Sequence, residues 1–446
     1  MKARIVFRWM LSVMLPFLAI ESGLARGSEP PGSSRAAGAN ASASSSARWY
    51  FATVDSDPPY DVGQHVSIAL HPVNGRPYIS YYEASHQMLR MASYVGTGGN
   101  CGPKNDWQCE TVDHTGNVGM YSSIAIDPVD NLPIISYYDA SNGALKVAVM
   151  TVFDWVFKTI DDPDLVSAGR YNSLKLSSTG KPRIAYYISN IMGIDSLWYA
   201  KYVGGGTGNC GGNDYRCDIV DDGEQMGKYA SLALDSSDQP HIAYHDGAND
   251  ALMYAHYNGS WLTRRIIPVS SSSGKYASLV VDTHNGDLPH IAHYNSSSGM
   301  LEYAVYVGGN EGNCGMSNTL KYEWQCDAID NIGTGTDPKG VSIAVDGSGY
   351  PIIAYQSGGS GLKVARPAAA LGLLTGNCGP VNLFYTWQCK TISMGIGFEQ
   401  GDYMALALNS AGLSTIAYYG NVTGSVGDLK VAYQRLRVFL PLTLKN

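Results

Sequence analysis

One unit recurs seven times along this chain, and that internal repeat limits the fold more than any other feature. The unit is clearest from Tyr121, "YSSIAIDPVDNLPIISYYDASNGALKVAVM", and returns from Tyr229 as "YASLALDSSDQPHIAYHDGANDALMYAHY" and from Tyr276 as "YASLVVDTHNGDLPHIAHYNSSSGMLEYAVY". Further copies begin at Val66, Tyr171, Val341 and Tyr403. The aligned positions Ser67, Ser123, Ser173, Ser231, Ser278, Ser342 and Ala405 lie 47 to 64 residues apart. That spacing suits a four-stranded propeller blade with its loops.

Each copy spells out its strands. A first strand such as "SIAID" ends in a polar turn followed by Pro, a second is "PIISYY", and a third is "LKVAV". The fourth opens on an aromatic and closes on an acid, as in "WQCETVD" from Trp107, "WVFKTID" from Trp155, "YRCDIVD" from Tyr215 and "WQCDAID" from Trp324. The strands are apolar at nearly every position, which is the pattern of sheets covered on both faces. Small Ser and Ala residues alternate along the first strand, as an innermost strand crowded around an axis requires. The last copy has no aromatic-led fourth strand, whereas "WYFATVD" at Trp49 to Asp55 precedes the first copy and matches one. The fold class is therefore all-β: a seven-bladed β-propeller of four-stranded antiparallel blades, closed when the N-terminal strand pairs with the third strand of the last blade. The C-terminal "VFLPLTL" is the weaker candidate for closure, because Pro441 cannot donate to a ladder.

Residues 1–25 place Lys2, Arg4 and Arg8 ahead of an apolar run from Trp9 to Ile20 and small residues at Gly23 and Ala25. This is the layout of a secretory signal cleaved after Ala25, and the run is too short for a spanning helix of about 20 residues. Residues 26–47, rich in Ser, Ala, Gly and Pro, read as a disordered linker. The propeller is assigned to 48–436 and a tail to 437–446. A formal charge of −8 without any Lys/Arg cluster argues against a nucleic-acid partner, and no basic amphipathic helix is available to lie on a membrane. A secreted or cell-surface monomer is expected, with no membrane span after signal cleavage.

All eight cysteines fall into four local pairs, Cys101 with Cys109, Cys210 with Cys217, Cys314 with Cys326, and Cys378 with Cys389. The first of each pair lies in a Gly-Asn-Cys-Gly turn and the second on the fourth strand. Among the roughly 105 connectivities open to eight cysteines, repetition of one local pattern favours four bridges within blades. Phe51 and Phe157 hold the same column where the cysteine is missing. No CxxC occurs, and no metal or cofactor is expected.

Two aromatic columns should converge on one face of the ring. One stands just before the first strand, at Tyr121, Tyr171, Tyr229, Tyr276 and Tyr403, with His65 and Gly340 in the remaining blades. The other closes the second strand, at Tyr82, Tyr138, Tyr187, His245 and Tyr294, with Gln356 and Tyr419. Directly after it come Glu83, Asp139, Asp246 and Asn295. Aromatic faces with acceptors beside them are what a sugar ring needs, so these residues form the candidate ligand-binding rim. The structural alternative is that the repeated tyrosines tie one blade to the next. His241 and His290 share a second-strand slot with Tyr78, Ile134, Arg183 and Ile352, and read as variants of a packing position.

Turns such as "DSSDQPHIAY" from Asp235 and "DGSGYPIIAY" from Asp346, repeated over nearly the whole chain after its leader, resemble those of secreted sialidase-like (BNR-repeat) propellers and propeller lectins. The resemblance implies the fold. Sialidases carry Ser-x-Asp-x-Gly-x-Thr-Trp boxes where this chain has Gly-Asn-Cys-Gly, and they need three converging arginines, which Arg183, Arg264 and Arg265 do not supply. No catalytic residue is carried over. The expectation is a secreted, non-catalytic binding module for glycans or an extracellular protein. The alternatives are a glycoside hydrolase or lyase using Glu83, Asp139 and Asp246, or a structural domain of the cell surface.

Overall fold

A computed structural model describes residues 47–57, 59–163, 166–190, 195–267, 272–316, 321–333, 340–357, 361–379, 385–394, 400–421 and 426–436. The leader, most of the linker and the tail 437–446 lie outside the described residues. Seven antiparallel sheets form the blades of a β-propeller. Their first strands are Val62–Leu70, Val118–Ile126, Val166–Leu176, Met226–Leu234, Ser273–Asp282, Val341–Val345 and Gln400–Leu408, for blades 1 to 7. In blades 1 to 6 the outer strands are Trp107–Asp113, Trp155–Asp161, Tyr215–Asp221, Trp261–Arg265, Tyr322–Asn331 and Trp387–Met394. Blade 5 gains a short fifth strand, Cys314–Met316, beyond its outer one.

The outer strand of blade 7 comes from the other end of the chain. Arg48–Asp55 pairs with Gly427–Arg435, with Arg48 opposite Arg435 and Phe51 opposite Ala432. The seam is then locked from blade 1: Asp61 accepts hydrogen bonds from the Tyr419 hydroxyl at 2.8 Å and the Gly427 backbone N–H at 3.0 Å. Gly63 sits at φ +100° so close to Leu429 that an added Cβ would lie 2.8 Å from its Cα. No side chain could occupy that position without parting blades 7 and 1.

Two sets of hydrogen bonds repeat around the ring. Near the axis, Ser67, Ser123, Ser173, Ser231, Ser278 and Ser342 each accept from a backbone N–H of the next blade's first strand, at 2.9 to 3.1 Å. Ala405 has no hydroxyl to offer across the seventh seam. Farther out, the acid that closes an outer strand meets a tyrosine on the second strand of the following blade: Tyr81 donates to Asp55 (2.5 Å), Tyr137 to Asp113 (2.6 Å), Tyr186 to Asp161 (2.7 Å), Tyr244 to Asp221 (2.6 Å) and Tyr355 to Asp330 (2.7 Å). In three seams a cation joins the pair, Arg90 on Asp55, Lys146 on Asp113 and Lys363 on Asp330. Two seams lack the pair: blade 4 has Ile267 in place of the acid and blade 5 carries His293 in the tyrosine column, whereas blade 6 has Ser393 in place of the acid and blade 7 keeps Tyr418.

The four disulfides join the expected partners. Their turn is built so that Asn100 extends the ladder, donating to the Cys109 carbonyl at 2.8 Å and accepting from the Cys109 N–H at 2.7 Å; Asn209, Asn313 and Asn377 repeat this. A Cβ on Gly99 would fall 1.9 Å from the Trp107 carbonyl oxygen, which accounts for the glycine of the motif. Closing such short loops contributes roughly 2 to 3 kcal/mol each by the chain-entropy argument. Three of the tryptophans that open outer strands pack edge-on against the third strand of the preceding blade, Trp261 on Tyr199, Trp324 on Tyr254 and Trp387 on Tyr303.

Deleting residues 47–57 removes both the outer strand of blade 7 and the Asp55 partner of Tyr81. A large drop in Tm and loss of the full-length chain's elution peak in size-exclusion chromatography are expected; a truncated chain as stable as the full one would contradict this closure. The Tyr–Asp bond also has a pH signature. Burial raises the Asp113 carboxyl pKa, but bonds from Lys146, Thr115 and Tyr137 outweigh it and bring the value down to about 2. That lies below the unfolded value of about 3.9. The stabilisation is therefore complete above pH ~5 and is lost as pH falls through ~2. Asp113→Asn is expected to flatten this part of the Tm-versus-pH curve, measured by circular dichroism.

Candidate functional site

The first strands carry a Gly-x-aromatic sequence, as in Gly119-Met120-Tyr121 and Gly227-Lys228-Tyr229. At each aromatic the ladder to the second strand shifts register, between Met120 and Ser123 or between Lys228 and Ser231, for example. The bulge holds His65, Tyr121, Tyr171, Tyr229, Tyr276 and Tyr403 at φ between 47° and 56°. Bulky residues rarely adopt this left-handed conformation, which costs of order 1 to 3 kcal/mol each. These aromatics were expected just ahead of the first strand. They lie inside it, because the strands start three to five residues earlier.

The bulge brings the side chains together in a ring about the propeller axis. Neighbouring centroids are 4.5 Å apart for His65–Tyr121, 4.7 Å for Tyr121–Tyr171, 4.9 Å for Tyr171–Tyr229 and 4.5 Å for both Tyr229–Tyr276 and His65–Tyr403. Adjacent planes differ by 51° to 56°, close to one seventh of a turn. Gly340 of blade 6 leaves a gap in the ring. Together they line an open depression of about 180 Å³ at the channel mouth. Hydrogen bonds run between the Tyr121, Tyr171 and Tyr229 phenols; burial first, then the neighbouring Tyr229, pushes the Tyr171 hydroxyl up to about 12, so these hydroxyls are protonated donors at neutral pH.

The second column stands behind the first. Tyr82 packs edge-on against His65, Tyr138 against Tyr121, Tyr187 against Tyr171 and His245 against Tyr229. Its members are buried, and their hydroxyls cross or brace the seams: Tyr82 donates to Asn117 (2.9 Å), Tyr138 shares a bond with Ser167 (2.7 Å), Tyr187 donates to Asp195, and Tyr294 donates to the Gly333 carbonyl (2.9 Å). Burial lowers the His245 pKa, partly opposed by Asp250 at 3.3 Å.

The acidic column is buried as well, each member closing the hairpin of its own blade. Glu83 accepts from the His86 N–H and ring, at 3.0 and 2.7 Å. Asp139 accepts from the Asn142 N–H and amide and Asp246 from those of Asn249, at 2.8 to 3.1 Å. Arg265 adds a 3.2 Å contact to Asp246. Asn295 accepts from the Ser297 and Ser298 N–H groups and donates to Glu302. These side chains stand in separate blades, each bonded within its own hairpin. The expected rim therefore separates into a half-buried aromatic crown and a buried polar support.

His241 and His290 hydrogen-bond the Tyr254 and Tyr303 hydroxyls, and burial pushes His290 down to about 4. Among the described residues no cluster of three or more His, Cys, Asp or Glu could hold a metal ion. No described helix is long and apolar enough to cross a membrane. What the sequence reasoning missed is the strain at the aromatic column and the pairing of each closing acid with a tyrosine. The Gly-x-Tyr spacing signalled the first.

Comparison with solved structures places the chain among propellers. A lectin from Burkholderia pseudomallei superposes with a TM-score of 0.50 at 15% identity, over 82% of this chain and 99% of its own. A polysaccharide lyase gives 0.46 at 9% identity over 86% and 91%, and a subtype N10 neuraminidase-like protein of the isolate A/little yellow-shouldered bat/Guatemala gives 0.43 at 6% over 88% and 98%. The likeness is one of fold. No family model matches the sequence, and no curated protein matches it.

Tyr138→Phe removes a half-buried inter-blade bond and should cost about 1 kcal/mol, while Asp246→Ala strands Asn249 and Arg265 and should cost about 2 to 3 kcal/mol. Denaturant unfolding measures both; no loss at either position would show that the column does not support the crown.

Proposed function

We propose that this protein is a secreted, non-catalytic propeller that binds the end of a glycan at the aromatic mouth of its central channel. The observation that carries this reading is the set of six aromatics held in a left-handed conformation around one axis. Packing alone gives no reason to maintain that strain six times over. Rings and phenols so arranged offer apolar faces for sugar C–H groups and donors for sugar hydroxyls. A depression of about 180 Å³ holds about six waters at about 30 Å³ each, which suits one terminal residue rather than a long chain.

Binding is favoured over hydrolysis because Glu83, Asp139 and Asp246 are occupied in their own hairpins. A glycosidase pair must face one substrate bond across a cleft. Four disulfides fit an oxidising location. Residues 1–25 serve as the leader and 26–47 as a tether, and the propeller acts as a monomer.

A glycan array probed with the purified protein tests this reading. Tyr171→Ala is expected to weaken the best ligand at least tenfold, with Tyr171→Phe intermediate and Tm changed by only a few degrees. Binding indifferent to Tyr171→Ala would sink the proposal, and turnover of fluorogenic glycosides would turn it toward catalysis.

A further inference from the structure

The residue just before each mouth aromatic breaks the sevenfold symmetry in charge. It is Gln64 in blade 1 and Met120 in blade 2, but Arg170, Lys228 and Lys275 in blades 3, 4 and 5, and Asp402 in blade 7; Lys339, which precedes Gly340 in blade 6, lies outside the described residues. These residues pair in the ladder with the second column, Arg170 with Tyr187, Lys228 with His245 and Lys275 with Tyr294, so they stand at the same end of the ring as the crown. Each reaches back over the preceding blade. The Arg170 guanidinium lies 5.4 Å from the Tyr138 ring centre and the Lys228 ammonium 6.0 Å from that of Tyr187, while Lys275 acts electrostatically on His245. Among the described residues none of the three is paired with a carboxylate; the nearby Asp195 and Asp250 are engaged with Tyr187 and His245. Three adjacent cations without counter-ions are unexpected on a chain of net charge −8.

A fourth cation follows along the strand of blade 3. Lys175 lies four residues beyond Tyr171, and its counterparts are Ala69, Ala125, Ala233, Val280, Ala344 and Ala407. It is accessible to solvent yet hemmed in by protein, and burial lowers its pKa.

We propose that the mouth selects an anionic carbohydrate, whose carboxylate or sulfate is held by the arc of Arg170, Lys228 and Lys275. This rests on the glycan-binding reading and adds the ligand's charge to it. Cations over aromatic faces at the edge of a low-dielectric concavity attract an anion at longer range than hydroxyls do, and salt weakens the attraction.

Calorimetric titration with three oligosaccharides of equal length tests it: an oligogalacturonate, a sulfated galactan fragment and a neutral galactan fragment. The expected result is at least tenfold tighter binding of one charged probe than of the neutral one, with the advantage shrinking at ~0.5 M salt. The stronger of the two charged probes identifies carboxylate or sulfate. Arg170→Gln combined with Lys228→Met should abolish that advantage, bringing the charged probes down to the affinity of the neutral one, with the variant still folded by circular dichroism. Lys104→Met, an exposed lysine on the Cys101–Cys109 loop, should alter nothing. Equal affinity for all three probes, or a charge preference that survives the double variant, overturns this inference and leaves the glycan reading intact. Failure of every probe, or binding untouched by Tyr171→Ala, overturns both.

Discussion

The hydrogen bond between a second-strand tyrosine and the acid closing the preceding blade's outer strand is the contact on which the ring depends. A buried phenol donating to a carboxylate is worth more than a neutral pair, about 1.5 to 3 kcal/mol, and leaving either partner alone costs comparably. In five of the seven seams it joins the outermost strand of one sheet to the second strand of the next, so those blades are completed by their neighbours. The N-terminal strand therefore does more than cover an edge. It delivers Asp55 to Tyr81, and so the last blade supports the first by the same bond used in four other seams.

This frame explains the division of labour between the two tyrosine columns. Strained backbone persists only where its surroundings hold it in place. Here Tyr82, Tyr138 and Tyr187 are fixed by their hydroxyls and stand edge-on behind His65, Tyr121 and Tyr171. The back column gives up its polar groups to structure, and the front column retains its faces toward the channel. A mouth preorganised in this way loses little entropy when a ligand enters.

Blade number, strand order, disulfide pairing and ring closure were all legible because each rests on a repeated local pattern. Short apolar strand runs, a recurring Gly-Asn-Cys turn and a displaced "WYFATVD" need no knowledge of distant contacts. The placement of Glu83, Asp139 and Asp246 was less legible, since an acid after a strand looks alike whether it faces a ligand or caps its own hairpin. The deciding partners, His86, Asn142 and Asn249, lie three residues downstream in each case, and only the turn geometry makes them partners. The bulge was hidden for a similar reason. Gly-x-Tyr marks a bend, but the extension of the strand upstream depends on pairing with the end of the second strand.

A repeat protein also separates fold from function along its own length. Residues required for closure must recur in nearly every blade, as the seam serines and the Tyr–Asp pairs do. A ligand lacking sevenfold symmetry can be oriented only where the repeat is broken. At the mouth those places are Gly340, which opens the crown in blade 6, and the cations of blades 3 to 5, across the axis from blade 1. The aromatic ring supplies a surface of nearly equivalent faces, while the gap and the charged arc distinguish one side of it from the other. Orientation of a bound ligand thus follows from a few unrepeated residues set on a scaffold whose repetition makes it rigid.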